Sequence, residues 1–288
     1  ALACRLLDST MAFVAASMHL AAAGTPTLED LPGLWTRSLL AWPDGRRDTT
    51  TQVWWLQGPT FFIDLRQPEG MPDFSRVTRL ADLDYPHINW MARQEGFAGA
   101  LRFDGDCFEW KRAIDYQPTG AHADRGRLHL EDDVLVEHGE VIHYIEHWHR
   151  AHDAGRAYAA RLADDAEGRT GYLVRVGPLF MYARSRDAAL PPHATLMDCV
   201  QASSSRAAAC RLLDFEISFG RISPAGWIIE RSSIPFRVGA SLQPRAHGTA
   251  GVTVLDGTFN ACARVREWRI LELQGRSGDP FGAGPRTA

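Results

Sequence analysis

The chain has 288 residues, 45% apolar and 23% charged, with a net charge of −4. These figures describe an ordinary globular protein rather than a disordered or collagen-like one, and the acidic balance excludes the basic surface a nucleic-acid binder needs to collect phosphates. Of the 31 basic residues all but Lys111 are arginine, so there is no Gly-Lys-Ser/Thr phosphate loop and only Lys111 could form a Schiff base.

Residues 1–30 stand apart from the rest. Arg5 precedes a moderately apolar stretch from Met11, and Ala21, Ala22 and Ala23 lie before Gly24, as at a signal cleavage site. Asp8, Ser17 and His19 interrupt that pattern, so the segment reads as a leader, as translation from an upstream start, or as a docked helix. The location expected is cytoplasmic, with secreted or periplasmic left open. No apolar run reaches the ~20 residues of a membrane-spanning helix, and no membrane partner is expected. The hexapeptide from Ala3 to Asp8 recurs from Ala209 to Asp214, but six residues do not make a repeat.

From Leu34 the texture becomes short β-strands, expected at residues 34–42, 50–56 and 61–66 with turns at Pro43-Asp44-Gly45 and Gly58-Pro59. Residues 74–94 read as partly helical. Strands then follow at 98–103, 107–113, 126–130, 134–137, 141–150, 156–163, 172–176 and 179–184. Turns are expected at Asp104-Gly105, His138-Gly139, Glu167-Gly168 and Gly177-Pro178. Residues 187–209, with Pro191, Pro192 and an alanine- and serine-rich stretch, could be helical. Strands resume at 213–219 and 227–232, then near Val252 and at 265–273. This pattern, without βαβ alternation, predicts an all-β fold: an antiparallel barrel with a few peripheral helices, spanning residues 31–275 and followed by a flexible Gly/Pro tail at 276–288.

Several motifs carry a resemblance. Leu34-Trp35-Thr36-Arg37-Ser38-Leu39, Phe62-Ile63-Asp64-Leu65-Arg66 and Glu95-Gly96-Phe97-Ala98-Gly99 resemble a calycin-type, lipocalin-like family of bacterial and fungal proteins. The runs from Trp110 to Pro118 and from Tyr144 to Arg150 do so as well. The likeness extends over roughly residues 31–237. It implies an up-and-down barrel with an internal pocket, and it brings no catalytic residues with it because the family has no assigned activity.

Side chains alternate faces along a strand, so parity sorts the candidates. Tyr144, Glu146, Trp148 and Arg150 share one face, and His143, Ile145, His147 and His149 the other. Phe108, Trp110 and Arg112 fall together, as do Phe62, Asp64 and Arg66, and Tyr182 and Arg184. A barrel that encloses a ligand can place aromatics and a few converging polar groups inside. If these faces point inward, Glu146 and Tyr144 are candidate proton carriers, and Arg112 a candidate catalytic anchor for an anionic group. Trp110, Trp148, Arg184, Asp64 and Arg66 would then form the binding walls. The bland alternative is a set of structural ion pairs on the barrel rims.

A rival reading uses the other face. His147 and His149, with His143 nearby, could clamp a metal if His129 or Glu137 supplied a third ligand. No His-Glu-x-x-His and no cupin-spaced acid accompanies them, so no metal is expected and the histidines read as a polar outer face. Five widely spaced cysteines (Cys4, Cys107, Cys199, Cys210 and Cys262) form no Cys-x-x-Cys and read as reduced structural thiols. There is no Gly-x-Ser-x-Gly elbow or dinucleotide fingerprint, and no cofactor is called for. The expected function is binding of a small organic ligand, leaning to a cofactor-independent lyase or isomerase. A non-catalytic carrier of an apolar or aromatic molecule and a metal-dependent enzyme are the alternatives, and self-association into a homo-oligomer is left open.

Overall fold

The computed structural model describes residues 24–151, 155–187, 190, 195–248, 250–257, 264–275 and 281. The expected leader or docked helix at residues 1–23 and most of the C-terminal tail lie outside the described residues.

The strands form the expected antiparallel barrel with few helices, and a second sheet beside it. Nine strands make the first sheet: β1 (Gly33–Ala41), β2 (Arg47–Asp48), β3 (Gln52–Gln57), β4 (Phe61–Gln67), β5 (Glu95–Phe103), β6 (Phe108–Asp115), β7 (Arg125–Glu131), β8 (Val134–Gly139) and β9 (Ile145–Arg150). β1 pairs with β3, each of β3 to β8 pairs antiparallel with the next, and β9 pairs back onto β1, which closes eight strands into a barrel; β2 is a short addition to β1. The second sheet holds β10 (Ala157–Asp164), β11 (Arg169–Val176), β12 (Leu179–Arg184), β13 (Glu216–Ser223), β14 (Gly226–Ser232), β15 (Arg245–His247), β16 (Gly251–Asp256) and β17 (Arg264–Gln274). It is a half-barrel in the order β14-β13-β12-β11-β10-β17-β16-β15.

The two bodies share a core. On β4, Ile63 and Leu65 point out of the barrel and pack with Tyr172, Val174, Met181 and Ile217 of the second sheet. Phe62, Asp64 and Arg66 alternate with them and therefore point into the barrel. Three short helices cover this junction: α1 (Tyr85–Ala92), α2 (Leu196–Gln201) and α3 (Arg206–Leu212). The first two fall within the stretches read as helical, and the third begins in the second stretch and ends three residues past it. The Asp84 carboxylate accepts from the His87 backbone N–H and starts α1, with Pro86 in its first turn, and Ile88 and Met91 seal it against the shared core.

Two β-bulges shape the barrel. In β6 the pairing shifts between Ala98↔Ile114 and Gly99↔Arg112, so Arg112 and Asp115 come to the same side although strict alternation would separate them. Gly99 is required here, since a Cβ at that position would sit 1.9 Å from the Lys111 carbonyl oxygen. In β1 the shift falls at Ser38, after which Leu40, rather than Leu39, pairs with Glu146. One expected turn is corrected: His138-Gly139 does not end the hairpin but lies within β8, opposite Arg127 and Gly126.

Candidate functional site

The barrel interior has two halves. Its lower part is an aromatic cluster: Trp35, Trp55, Trp110 and Trp148 pack with Phe62, Phe97 and Phe108. Trp55 meets Trp148 edge-on at 5.4 Å and Trp110 edge-on at 5.8 Å between ring centroids, the geometry aromatic quadrupoles favour. Above these rings lies a cavity of about 290 Å³ lined by Tyr144, Glu146, Trp148, Trp110, Arg112, Asp64 and Arg66, among others. The structure therefore brings together seven of the eight residues that parity proposed for the site.

Arg184 is the exception. It belongs to β12 in the second sheet and is fully buried there, donating to the Asp214 carboxylate at 2.7 Å and lying 3.2 Å from that of Asp256. Its Tyr182–Arg184 face does point into a concave interior, but that of the half-barrel rather than the cavity. His147 and His149 lie on the outer face of β9, opposite Glu146 and Trp148. His149 Nε2 is 2.8 Å from Ser38 Oγ, and His143 stands exposed before the strand. Among the described residues, the only group of three side chains spaced to hold a metal is Asp106, Cys107 and Glu140, which includes none of these histidines.

Within the cavity every arginine is already held by carboxylates. Arg66 donates through Nε to Asp64 at 2.9 Å and approaches Glu146 at 3.6 Å. Arg112 donates to Asp124 at 2.7 Å and to Asp115 at 3.1 Å, and its guanidinium lies 3.5 Å from the Phe97 ring centroid. Arg37 supplies the third guanidinium, 2.5 Å from Glu146 and 2.9 Å from Asp48. Sequence reading quoted Arg37 only within a motif, although its parity with Trp35 marks it as inward-facing. Glu146 is thus an ion-paired carboxylate, and Arg112 is a braced wall rather than an open anion anchor.

Glu137 on β8 is the residue the sequence reading passed over, naming it only as an optional metal ligand. It is 3% exposed and faces the cavity. Tyr144 Oη donates to its Oε1 at 2.7 Å and Trp148 Nε1 to its Oε2 at 3.1 Å. Among the described residues no guanidinium lies within ion-pair distance of it. Burial, with Glu146 and Asp124 adding like charge, pushes its carboxyl well above the usual range. The same burial, helped by Glu137, raises the Tyr144 phenol. Burial also raises Asp64 and Asp115 despite their arginine partners.

Local sequence sets this geometry. Leu135 and Glu137 share a face in the Val134-Leu135-Val136-Glu137 run, so the apolar floor contact of Leu135 carries Glu137 inward with it. Gly139 then leaves room for the Tyr144 ring, which a Cβ would meet at 2.5 Å. The arrangement is a small cavity with aromatic rings on one side and a buried carboxyl–phenol pair on the other, and a barrel of this kind is compatible with small-ligand binding.

No family model matches the chain, and no curated protein matches it. Among solved structures, the crystal structure of an uncharacterized protein of Saccharomyces cerevisiae, YLR301w, is similar to it, with a TM-score of 0.50 and 12% identity. The likeness covers 85% of this chain and 99% of that one. At this identity it bears on the fold alone, where it agrees with the all-β architecture.

Proposed function

We propose that the first barrel binds a small organic molecule in this cavity and that Glu137, with Tyr144, moves a proton on it, as a cofactor-independent lyase or isomerase does. Glu137 carries the reading. A carboxyl held neutral in a dry pocket can donate a proton, and once ionised it can take one from a carbon acid. Tyr144 Oη, hydrogen-bonded to it at 2.7 Å, orients the carboxyl and can relay the proton. Arg37, Arg66 and Arg112 fix the surrounding carboxylates, while Trp110 and Trp148 offer an apolar floor to the body of the ligand. The resemblance to calycin-type barrels supports the binding part of this proposal.

A non-catalytic carrier of an aromatic molecule is the second reading, favoured by the tryptophan floor. A carrier of a purely apolar molecule fits less well, because the ion pairs and the raised carboxyl would serve no purpose in it. A thermal-shift screen of small organic molecules tests binding: hits should disappear in Leu40→Trp, which fills the cavity from β1. Incubating a hit with the protein in D2O then separates the readings. Deuterium entering a C–H position of the ligand, lost in Glu137→Gln at ligand concentrations that saturate the variant, supports the enzyme. Binding without exchange or turnover in the unaltered protein overturns it in favour of the carrier.

A further inference from the structure

Resting on the reading that this cavity binds a small molecule, we infer that its ligand is an organic cation, an amine carried on an aromatic or apolar body, with Glu137 as its counter-ion. Charge counting in the cavity leads there. Five carboxyl side chains (Asp64, Glu95, Asp124, Glu137 and Glu146) and two guanidiniums (Arg66 and Arg112) line it. Adding the braces behind them, Arg37 with Asp48 and Arg112 with Asp115, gives seven carboxyls against three guanidiniums. Each of the three guanidiniums already contacts two carboxylates. An anionic ligand would have to compete with those carboxylates for donors, and it would enter a surplus of negative charge. A cation meets the opposite situation: a surplus waiting for one more positive group.

The walls agree with the charges. Trp55, Trp110, Trp148 and Phe97 present ring faces and edges to the same space, and aromatic faces attract ammonium groups, most strongly where water is excluded. Phe97 already holds the Arg112 guanidinium in this way at 3.5 Å. Of the acids, Glu137 is the buried one with no guanidinium beside it. Around it stand Tyr144, Glu146 and Asp124 on the neighbouring strands and loop, with Arg66, Arg112, Asp64 and Glu95 across the cavity. An ammonium placed within reach of Glu137 would favour its ionised form, so binding should release the proton that burial makes it keep.

Three probes on one phenethyl frame test this: phenethylamine, 2-phenylethanol and 3-phenylpropionate, titrated into the full chain and followed by tryptophan fluorescence and calorimetry. Phenethylamine should bind tighter than either of the others by about tenfold or more. Its binding heat should vary with the ionisation enthalpy of the buffer, as proton release requires. Glu137→Gln should lose that preference while retaining 2-phenylethanol. Equal or tighter binding of the alcohol or the carboxylate overturns the cation inference and leaves the cavity reading standing. A Glu137→Gln variant that keeps the full preference overturns the assignment of the counter-ion. If none of the probes binds, the inference falls, and the cavity reading itself stands or falls with the Leu40→Trp screen. Far-UV circular dichroism of Glu137→Gln and Leu40→Trp confirms that each variant is folded.

Discussion

Replacing Arg37 with Met tests whether the cavity wall is built on buried ion pairs. Arg37 and Glu146 have side chains only 3% exposed and meet at 2.5 Å. Without Arg37, Glu146 keeps only the looser Arg66 contact at 3.6 Å. Asp48 suffers less, because it is 22% exposed and accepts the backbone N–H groups of Thr50 and Thr51 at 3.0 Å each. The cost therefore falls on Glu146, and orphaning one member of a buried pair typically costs about 3–5 kcal/mol. The retained Arg66 and the adjoining cavity place the expected loss near the lower end of that range. Urea unfolding followed by far-UV circular dichroism reads it as a fall in midpoint at unchanged slope. Adding Glu146→Gln removes the stranded charge, so the double variant should recover about 2 kcal/mol of the loss, a coupling of the size found between contacting groups. A loss under about 1 kcal/mol in the single variant, the scale of an exposed pair, would refute the reading of Arg37–Glu146 as a buried pair on which the wall is built.

Glu137 binds its proton more tightly folded than unfolded, so its contribution is fully favourable below the ordinary carboxyl range and is lost as pH rises towards its folded value. Glu137→Gln should consequently gain stability relative to the unaltered protein as pH is raised from about 4 to about 8; thermal melts across that range check the sign, and a flat difference rules it out. Gly99→Ala should destabilise by about 1–3 kcal/mol, since its Cβ would strike the Lys111 carbonyl, and an unchanged melting temperature would refute the bulge constraint. Arg184→Met should cost about 3 kcal/mol, the lower end for a broken buried pair, because Asp214 keeps Arg169 and Asp256 keeps Arg266, yet leave binding in the first barrel unchanged; altered affinity for a ligand of that cavity would contradict the separation of the two interiors. The Cys107 thiol, pushed up to about 11 mainly by burial, should resist iodoacetamide at neutral pH in the native protein and react only on unfolding, as peptide mapping will show.

Parity made much of the cavity legible, and its failures have local causes. Tyr144, Glu146 and Trp148 alternate with histidines that are too polar for a barrel interior, so the inward face of β9 could be chosen from side-chain type alone. Phe62, Asp64 and Arg66 followed the same rule. Asp115 did not, because the bulge opposite Gly99 resets the alternation, and bulges leave little mark beyond a glycine. Glu137 was legible in principle, since it shares a face with Leu135 between two valines. What hid it was the Gly139 that follows, which reads as a turn and in fact makes space for the Tyr144 ring. Arg184 illustrates a different limit: its strand has the same aromatic-plus-charge face as the cavity strands, and alternation says which residues go inside but not inside which sheet. The boundary between the two bodies falls between β9 and β10, and the period-2 pattern of both strands reads the same on either side of it.

The second sheet shows what the same ingredients do where each buried acid has a guanidinium beside it. Its interior buries Arg184, Arg237 and Arg266 with Asp164, Asp214, Glu216 and Asp256, and every one of these acids contacts a guanidinium. Tyr182 donates to Asp256 at 3.1 Å and accepts from Trp268 Nε1 at 3.2 Å, an aromatic–carboxyl contact comparable with that of Tyr144, Trp148 and Glu137. There the arginines complete the set: they hold the Asp214 and Glu216 carboxyls below the usual range, while burial raises Asp256 although Arg184 and Arg266 both contact it. In the first barrel no guanidinium of the described residues stands beside Glu137, and a cavity adjoins its carboxyl. Buried charge alone therefore does not mark a site in this protein, because both interiors have it. The distinguishing feature is a buried carboxyl beside which no described residue places a guanidinium, set against a cavity of about 290 Å³.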